Sequence, residues 1–343
     1  MPETLTTKSM SPQPPPAVEL PVRVVKSYPL ITVSKTYRAR PFGVAPLLAA
    51  HVPGRKSLNL VQLCWTYETA EKVSELVADL EHAKSIAPDS EFVILANTEF
   101  ESYLLSDRGV PNTMASETMF MDEQVFRPQP RIEKTFEAVY NGRIAPMKRH
   151  ELAEGINRRL LIYCPDWEDD REYAEMYRRK PTPAVFLNHQ LGGGKYCFLP
   201  KDEVNRHMNQ ARVGLCLSAT EGIMRASIEY LYCGLPVVST PCYGGRERYY
   251  HPDYCRIVEP DRNAVTKAVR DLARADIDPF FVRRRTLSII NRERTNFIRF
   301  VNSLARYHFG IRHLFPDFEP FRGNVDYVDI QSIIERLKGR PGA

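Results

Sequence analysis

Residues 212–258 read RVGLCLSATEGIMRASIEYLYCGLPVVSTPCYGGRERYYHPDYCRIV, and this stretch decides the fold. Residues 213–218 are a short apolar run, the pattern of a strand buried on both faces. A helical pattern over 224–233 stops at Gly234-Leu235-Pro236, and 237–240 is a second short buried strand. Strand, helix and parallel strand joined by loops of a few residues make one βαβ unit. Glu221 lies just before the helix and Glu229 inside it, eight positions apart. Eight residues are a little over two turns, so the two carboxylates can share one face about 12 Å apart. That separation suits two hydroxyls at opposite ends of an extended ligand better than one metal ion. Taken alone, a helix-dipole charge and a solvated surface glutamate explain the pair equally well. The neighbours decide.

Outward from this unit, strands and helices alternate. In the second half, 136–140 is a strand, a helix is expected through Leu152, Ile156 and Leu160, and 160–163 is a strand. A helix over 169–179, strands at 184–187 and 196–199 and a helix over 202–210 lead into the opening unit, and helices follow at 261–275, 280–307 and 330–337. In the first half, 59–65 and 92–96 are strands. A helix over 68–83 carries Val73, Leu76, Val77 and Leu80 at helical spacing, 100–105 starts a short helix, and 112–121 is a strand and loop. Weak strand character marks 22–25 and 30–33. Pro128 and Pro130 mark a break near 130. The expected organisation is a disordered, proline-bearing tail over 1–20, a first domain over 21–130, a second over 131–300, and a helical segment over 301–343 that packs back on the first domain. The alternation argues for an α/β protein of two Rossmann-like, doubly wound parallel-sheet domains facing a cleft, the first one abbreviated.

Composition excludes several classes. With 343 residues, 43% hydrophobic and 26% charged, the chain is long enough for two cores. A net charge of +5 is too small to argue for nucleic acid. The seven cysteines include no Cys-x-x-Cys pair and read as small buried hydrophobes of a reducing compartment. No apolar run reaches a membrane span and no signal-peptide core is visible, so a cytoplasmic protein is expected.

In doubly wound sheets ligands bind beyond the carboxyl ends of the strands. Arg143 and Lys148 follow the first strand of the second half, Gly192-Gly193-Gly194-Lys195 occupies a later loop, Glu221 and Gly222 follow the 213–218 strand, and Tyr243-Gly244-Gly245-Arg246-Glu247 follows the 237–240 strand. Cations that can hold a diphosphate, glycines that let backbone approach it and carboxylates that accept from sugar hydroxyls point to a nucleotide sugar.

With these residues on the page, the sequence resembles the retaining glycosyltransferases of the GT-B fold, family 4 (glycosyl transferases group 1). The matching residues are Gly142-Arg143 with Lys148, Glu221 and Glu229 separated by seven residues, Gly234-Leu235-Pro236-Val237-Val238, Gly244-Gly245, and Asp122 with Phe126 closing the first domain. The resemblance implies that Arg143 and Lys148 bind the donor diphosphate and stabilise the leaving group in place of a metal ion, so no metal and no cofactor are expected. It implies that Glu221 meets the transferred sugar and Glu229 the ribose. Gly142, the backbone of Gly222, Ile223 and Met224, Arg225, Gly244 and Gly245 complete the substrate-binding set. The expected partners are a nucleotide-sugar donor and a glycan, lipid-linked or small-molecule acceptor, with no nucleic acid. A noncatalytic nucleotide-sugar-binding subunit and a nucleotide-sugar epimerase are the alternatives.

The chain departs from the family pattern in three places. Ile223-Met224 replaces Phe-Gly after Glu221-Gly222. The Gly-Gly loop near the start of the first domain has only Gly43 as a counterpart. The active-site histidine of that domain has only His51 and His82 as candidates. Asp276-Ile277-Asp278 has the spacing of a metal motif of the other transferase fold but reads as a turn after a helix. His150 is expected behind Lys148 or on a helix. Arg283-Arg284-Arg285 reads as a solvated helix face, and a weak contact with an anionic membrane is the functional alternative.

Overall fold

The computed structural model describes residues 19–36, 42, 54–323, 325 and 327–338. Gly43, His51 and residues 1–18 of the expected tail lie outside the described residues. Two six-stranded sheets organise the chain.

The first contains β1 (Glu19–Lys26), β2 (Leu30–Lys35), β3 (Ser57–Gln62), β4 (Ser90–Ala96), β5 (Asn112–Met114) and, from the far end of the chain, β12 (Tyr327–Asp329), in the order β12-β1-β2-β3-β4-β5. β2 to β5 are parallel, and β1 is antiparallel to both its neighbours. β2 and β3 are buried throughout, as expected for strands covered on both faces. Helices α1 (Ala70–Ile86) and α2 (Glu99–Asp107) connect β3 to β4 and β4 to β5. Thr69 and Thr98 cap them, each side chain accepting from the amide three residues on. His82 is exposed on α1.

The second sheet holds β6 (Phe136–Asn141), β7 (Arg159–Ile162), β8 (Val185–Phe186), β9 (Ala211–Cys216), β10 (Val237–Ser239) and β11 (Cys255–Ile257), in the order β11-β10-β9-β6-β7-β8. All its pairs are parallel. The strand order reverses between β6 and β9, which is the topological switch point of a doubly wound sheet. Helices α3 (Arg171–Arg179), α4 (Leu187–Leu191), α5 (Lys201–Met208), α6 (Arg225–Tyr232) and α7 (Arg262–Arg274) make the crossovers and flank. A long helix α8 (Pro279–Phe309) runs from this half back to the first, and α9 (Ile330–Lys338) closes the chain, packing Ile330, Ile333 and Ile334 with Val22 and Leu30.

The structure corrects three local expectations. No α-helix passes through Leu152, Ile156 and Leu160. Residues 150–153 form a 3-10 turn under α7, and Leu160 belongs to β7. Gly155 lies so close to α7 that a Cβ there would sit 2.3 Å from Thr266 Oγ1, which sets the turn where a helix was expected. Residues 196–199 are not a strand, and the backbone of Cys197 is bonded by Asn188 instead. Its carbonyl accepts from Cys197 N (3.0 Å) and its side-chain amide donates to Cys197 O (2.9 Å). Arg283 is not on a solvated face. It donates to the carbonyls of Glu123, Phe126 and Tyr232, each at 2.7 Å, while Arg284 and Arg285 stay exposed. Asp278 caps α8 by accepting from Phe280 N and Phe281 N, which accounts for the Asp276-Ile277-Asp278 turn.

Arg283 belongs to a clasp on the segment that joins the two sheets. Arg294, 3% exposed, donates to Met119 O (2.9 Å), Met121 O (2.8 Å) and the Glu123 carboxylate (2.9 Å). Arg322 meets the other Glu123 oxygen. A buried guanidinium is costly unless its donors are satisfied, and those of Arg294 are spent on the connecting segment, so α8 fixes the connection between the halves.

Candidate active site

Two loops flank the switch point, one after β6 and one after β9, and the structure joins them through Lys148 and Glu221. Lys148 Nζ is paired with Glu221 Oε1 at 9% and 5% exposure. Ser218 Oγ donates to the same oxygen (2.6 Å), and Arg246, fully buried, donates to Ser218 Oγ (2.7 Å) and Thr240 O (2.6 Å). Lys148 is held from behind. The phenol of Tyr140, at the end of β6, donates to its carbonyl (2.6 Å), and the left-handed Arg149 (φ 50°) turns the chain so that its guanidinium reaches Leu217 O (2.6 Å) and Thr240 Oγ1 (2.7 Å).

Arg143 is not brought to Glu221. Its Nε lies 3.1 Å from Asp170 Oδ2 and its guanidinium carbon 3.7 Å from the Trp167 ring centroid, while Nη1 is buried without a partner. His150 is buried behind the loop and donates Nε2–H to Arg143 O (2.9 Å). Burial pushes its pKa down to about 4, so the ring stays neutral and supports the backbone.

Glu229 sits on α6 and accepts from Asn141 Nδ2 (2.9 Å), so both glutamates of the pair face the loop after β6. Burial pushes its carboxyl up to about 7. An acid whose folded pKa lies above its ordinary 4.5 adds no penalty below pH 4.5, a growing one between pH 4.5 and about 7, and a constant one above that. Glu229→Gln keeps an acceptor for Asn141. Its stability relative to wild type is therefore expected to be higher at pH 8 than at pH 5 by urea unfolding, and a difference independent of pH would contradict the buried carboxyl.

The glycine loops are zipped together. Glu221 N donates to Tyr243 O (2.9 Å) and Gly245 N to Gly222 O (3.4 Å). Gly244 has φ 112°, and a Cβ there would sit 2.0 Å from Glu221 O, so only glycine fits. Gly222 and Gly245 face the first sheet, with Cβ positions 2.4 Å from Cys64 O and 2.6 Å from Asn97 O. The carboxyl ends of β3 and β4 thus oppose those of β9 and β10 across a cleft that is narrow at the glycines. Gly142 lies against the Tyr140 ring, Met224 is buried as the N-cap of α6, and Ile223 is half-buried. Arg225 reaches across to Glu117 (3.3 Å), which also pairs with Lys35 of β2.

Sequence reasoning did not single out Ser218, Asn141, Arg149 or Glu101. Glu101, fully buried on α2, accepts from Tyr67 N and Asn97 N, both at 2.8 Å, and so sets the loops that meet the glycines. Its signal was faint: a glutamate three residues after a Thr98 cap looks like an ordinary first-turn charge.

Residues 149–275 match the family described as Glycosyl transferases group 1. The match begins one residue after Lys148, so the loop bearing Arg143 and Lys148 and the whole first half lie outside it. The structure is similar to sucrose-phosphate synthase from Thermosynechococcus elongatus, at 17% identity and a TM-score of 0.51 over 77% of this chain and 70% of that one. It is similar to an α,α-trehalose-phosphate synthase (UDP-forming) from Burkholderia xenovorans, at 12% identity and 0.50 over 78% and 73%. The N-terminal domain of a Candida albicans trehalose-6-phosphate phosphatase gives 12% and 0.51 over 75% and 66%. No curated protein sequence matches the chain. The architecture is the GT-B fold, and the residues that match the family lie in its second half. Among the described residues no helix is long and apolar enough to cross a membrane.

Proposed function

We propose that the chain is a retaining, metal-independent transferase that moves a sugar from a nucleotide-diphosphate sugar to an acceptor hydroxyl of a glycan, lipid-linked or small-molecule substrate. The observation that carries this reading is the meeting of Lys148, Glu221 and the two glycine loops at the switch point of the second sheet. Lys148 and the free Nη1 of Arg143 would neutralise the departing diphosphate, the part a divalent metal plays elsewhere. Lys148 and Ser218 both address Oε1 of Glu221, so Oε2 is the oxygen that would accept from the transferred sugar. Glu229 would accept from the ribose.

The acceptor enters from the first sheet. There, at the carboxyl ends of β3 and β4, the Gln62 amide, the Thr66 hydroxyl and Asn97 Oδ1 are buried without partners, and a polyhydroxylated acceptor would satisfy them. Departure of the diphosphate and attack of the acceptor on the same face retain the anomeric configuration.

The test is transfer in EDTA with the product anomer read by NMR. Undiminished transfer with the donor's configuration is expected. Loss of transfer in EDTA, or an inverted product, would contradict the proposal.

A further inference from the structure

The carboxyl-terminal end of α8 and the segment after it form a second, separate cavity. Gly310 ends the helix in the left-handed conformation (φ 72°), and His313 is a non-glycine residue with φ 53°, so the chain doubles back tightly. Asn302 clamps the return, its amide donating to Phe315 O (2.8 Å) and its oxygen accepting from Phe315 N (2.9 Å). Between helix and return segment lies a cavity of about 360 Å³ lined by Arg299, Asn302, Ser303, Arg306, Arg312 and His313.

Three guanidinium groups and an imidazole, with hydroxyl and amide groups beside them and no carboxylate, line this one concavity. Among the described residues none of the three arginines has a hydrogen-bonded or ion-paired side chain. Other arginines around α8 are paired: Arg294 and Arg322 with Glu123, Arg283 with three carbonyls. The acids that line the adjoining larger cavity are already engaged. Glu319 is held by Arg322 (2.8 Å), and Asp317 accepts from Glu319 N (2.9 Å). Like charges converging from two segments repel, and guanidinium forks match phosphate oxygens in geometry as well as charge.

We propose that this cavity is a phosphate-binding site, distinct from the donor cleft and taking the phosphoryl group of a soluble phosphorylated compound or of a lipid headgroup. It lies beyond the opposite end of the first sheet. His308 is 3.9 Å from Glu91 near the start of β4, whereas the cleft is reached past Asn97 at that strand's other end, about 20 Å away by rise per residue. The site therefore reads a ligand without touching the donor.

The test is arginine labelling of the full chain by phenylglyoxal, resolved by mass spectrometry, with inorganic pyrophosphate as one probe. The second probe is vesicles of equal parts phosphatidylglycerol and phosphatidylcholine, against phosphatidylcholine alone. Either probe should slow labelling of Arg299, Arg306 and Arg312 while leaving Arg292, exposed one helical heptad away, unchanged. The slowing should be about tenfold when pyrophosphate is at ten times its dissociation constant. Cosedimentation with the anionic vesicles that disappears in Arg299→Ser/Arg306→Ser/Arg312→Ser identifies a lipid headgroup as the source. Protection by pyrophosphate without cosedimentation identifies a soluble compound. Unchanged labelling with both probes, or equal slowing at Arg292, overturns the site. The substitutions fall on exposed side chains, so retained nucleotide binding by the triple variant verifies its fold.

Discussion

Lys148→Ala is expected to destabilise the protein by about 3–5 kcal/mol and to lower transfer by about 10²- to 10³-fold. Lys148 and Glu221 are both almost inaccessible to water, and each is the other's charge partner. Removing the ammonium leaves a buried carboxylate supported by the Ser218 hydroxyl alone, while Ser218 in turn depends on Arg246. The double variant Lys148→Met/Glu221→Gln removes both charges at similar volume, so it should recover most of the lost stability. Transfer should stay at the low level, because neither the cation proposed for the diphosphate nor the carboxylate proposed for the sugar is restored. Urea unfolding and initial rates on the three proteins separate the effects. A single variant as stable as wild type would mean that the pair is open to water. A double variant as unstable as the single would mean that packing, not charge, sets the cost.

Gly222→Ala should lower transfer by about 10²-fold while changing stability by less than about 1 kcal/mol. A Cβ at this position would lie 2.4 Å from Cys64 O and 2.5 Å from Trp65 Cα, both backbone atoms of the opposite domain. Those atoms cannot yield easily, since Glu101 accepts from Tyr67 N and Asn97 N and the Asn97 amide donates to Leu63 O (3.0 Å). The domains would instead have to part by about an ångström, enough to misplace an acceptor against the donor. Small-angle scattering should show a slightly more open particle, and steady-state rates the loss of turnover. Wild-type turnover would show that the contact at Gly222 is not needed for the reaction.

These two residues also mark where the sequence was legible. The buried runs at 213–218 and 237–240 and the Gly-Leu-Pro stop fix the βαβ unit, because parallel strands must be apolar on both faces. The loops after β6 and β9 could be assigned to one edge from alternation alone. That Lys148 rather than Arg143 meets Glu221 could not, since the choice depends on Tyr140 anchoring the loop and on the left-handed Arg149, which are tertiary facts. The expected helix around Leu152 failed because the three apolar residues at spacing four fall in different places: Leu152 in a 3-10 turn, Ile156 in the loop after it and Leu160 in a strand. Arg283 misled for a related reason: next to Arg284 and Arg285 it looks like part of a charged face, yet its donors are used by carbonyls more than a hundred residues away. β12 pairs with β1 across the whole length of the chain, and three residues carry no periodicity to announce it.

The central claim is that the switch point of the second sheet is a nucleotide-diphosphate site. Its most direct test is thermal unfolding with UDP, GDP, ADP, TDP and CMP in EDTA, on wild type and on Arg143→Ala/Lys148→Ala. One nucleoside diphosphate should raise the stability of the wild type, by about 2.7 kcal/mol at a hundred times its dissociation constant, and leave the variant unmoved. No stabilisation by any of them, or equal stabilisation of the variant, would contradict the account.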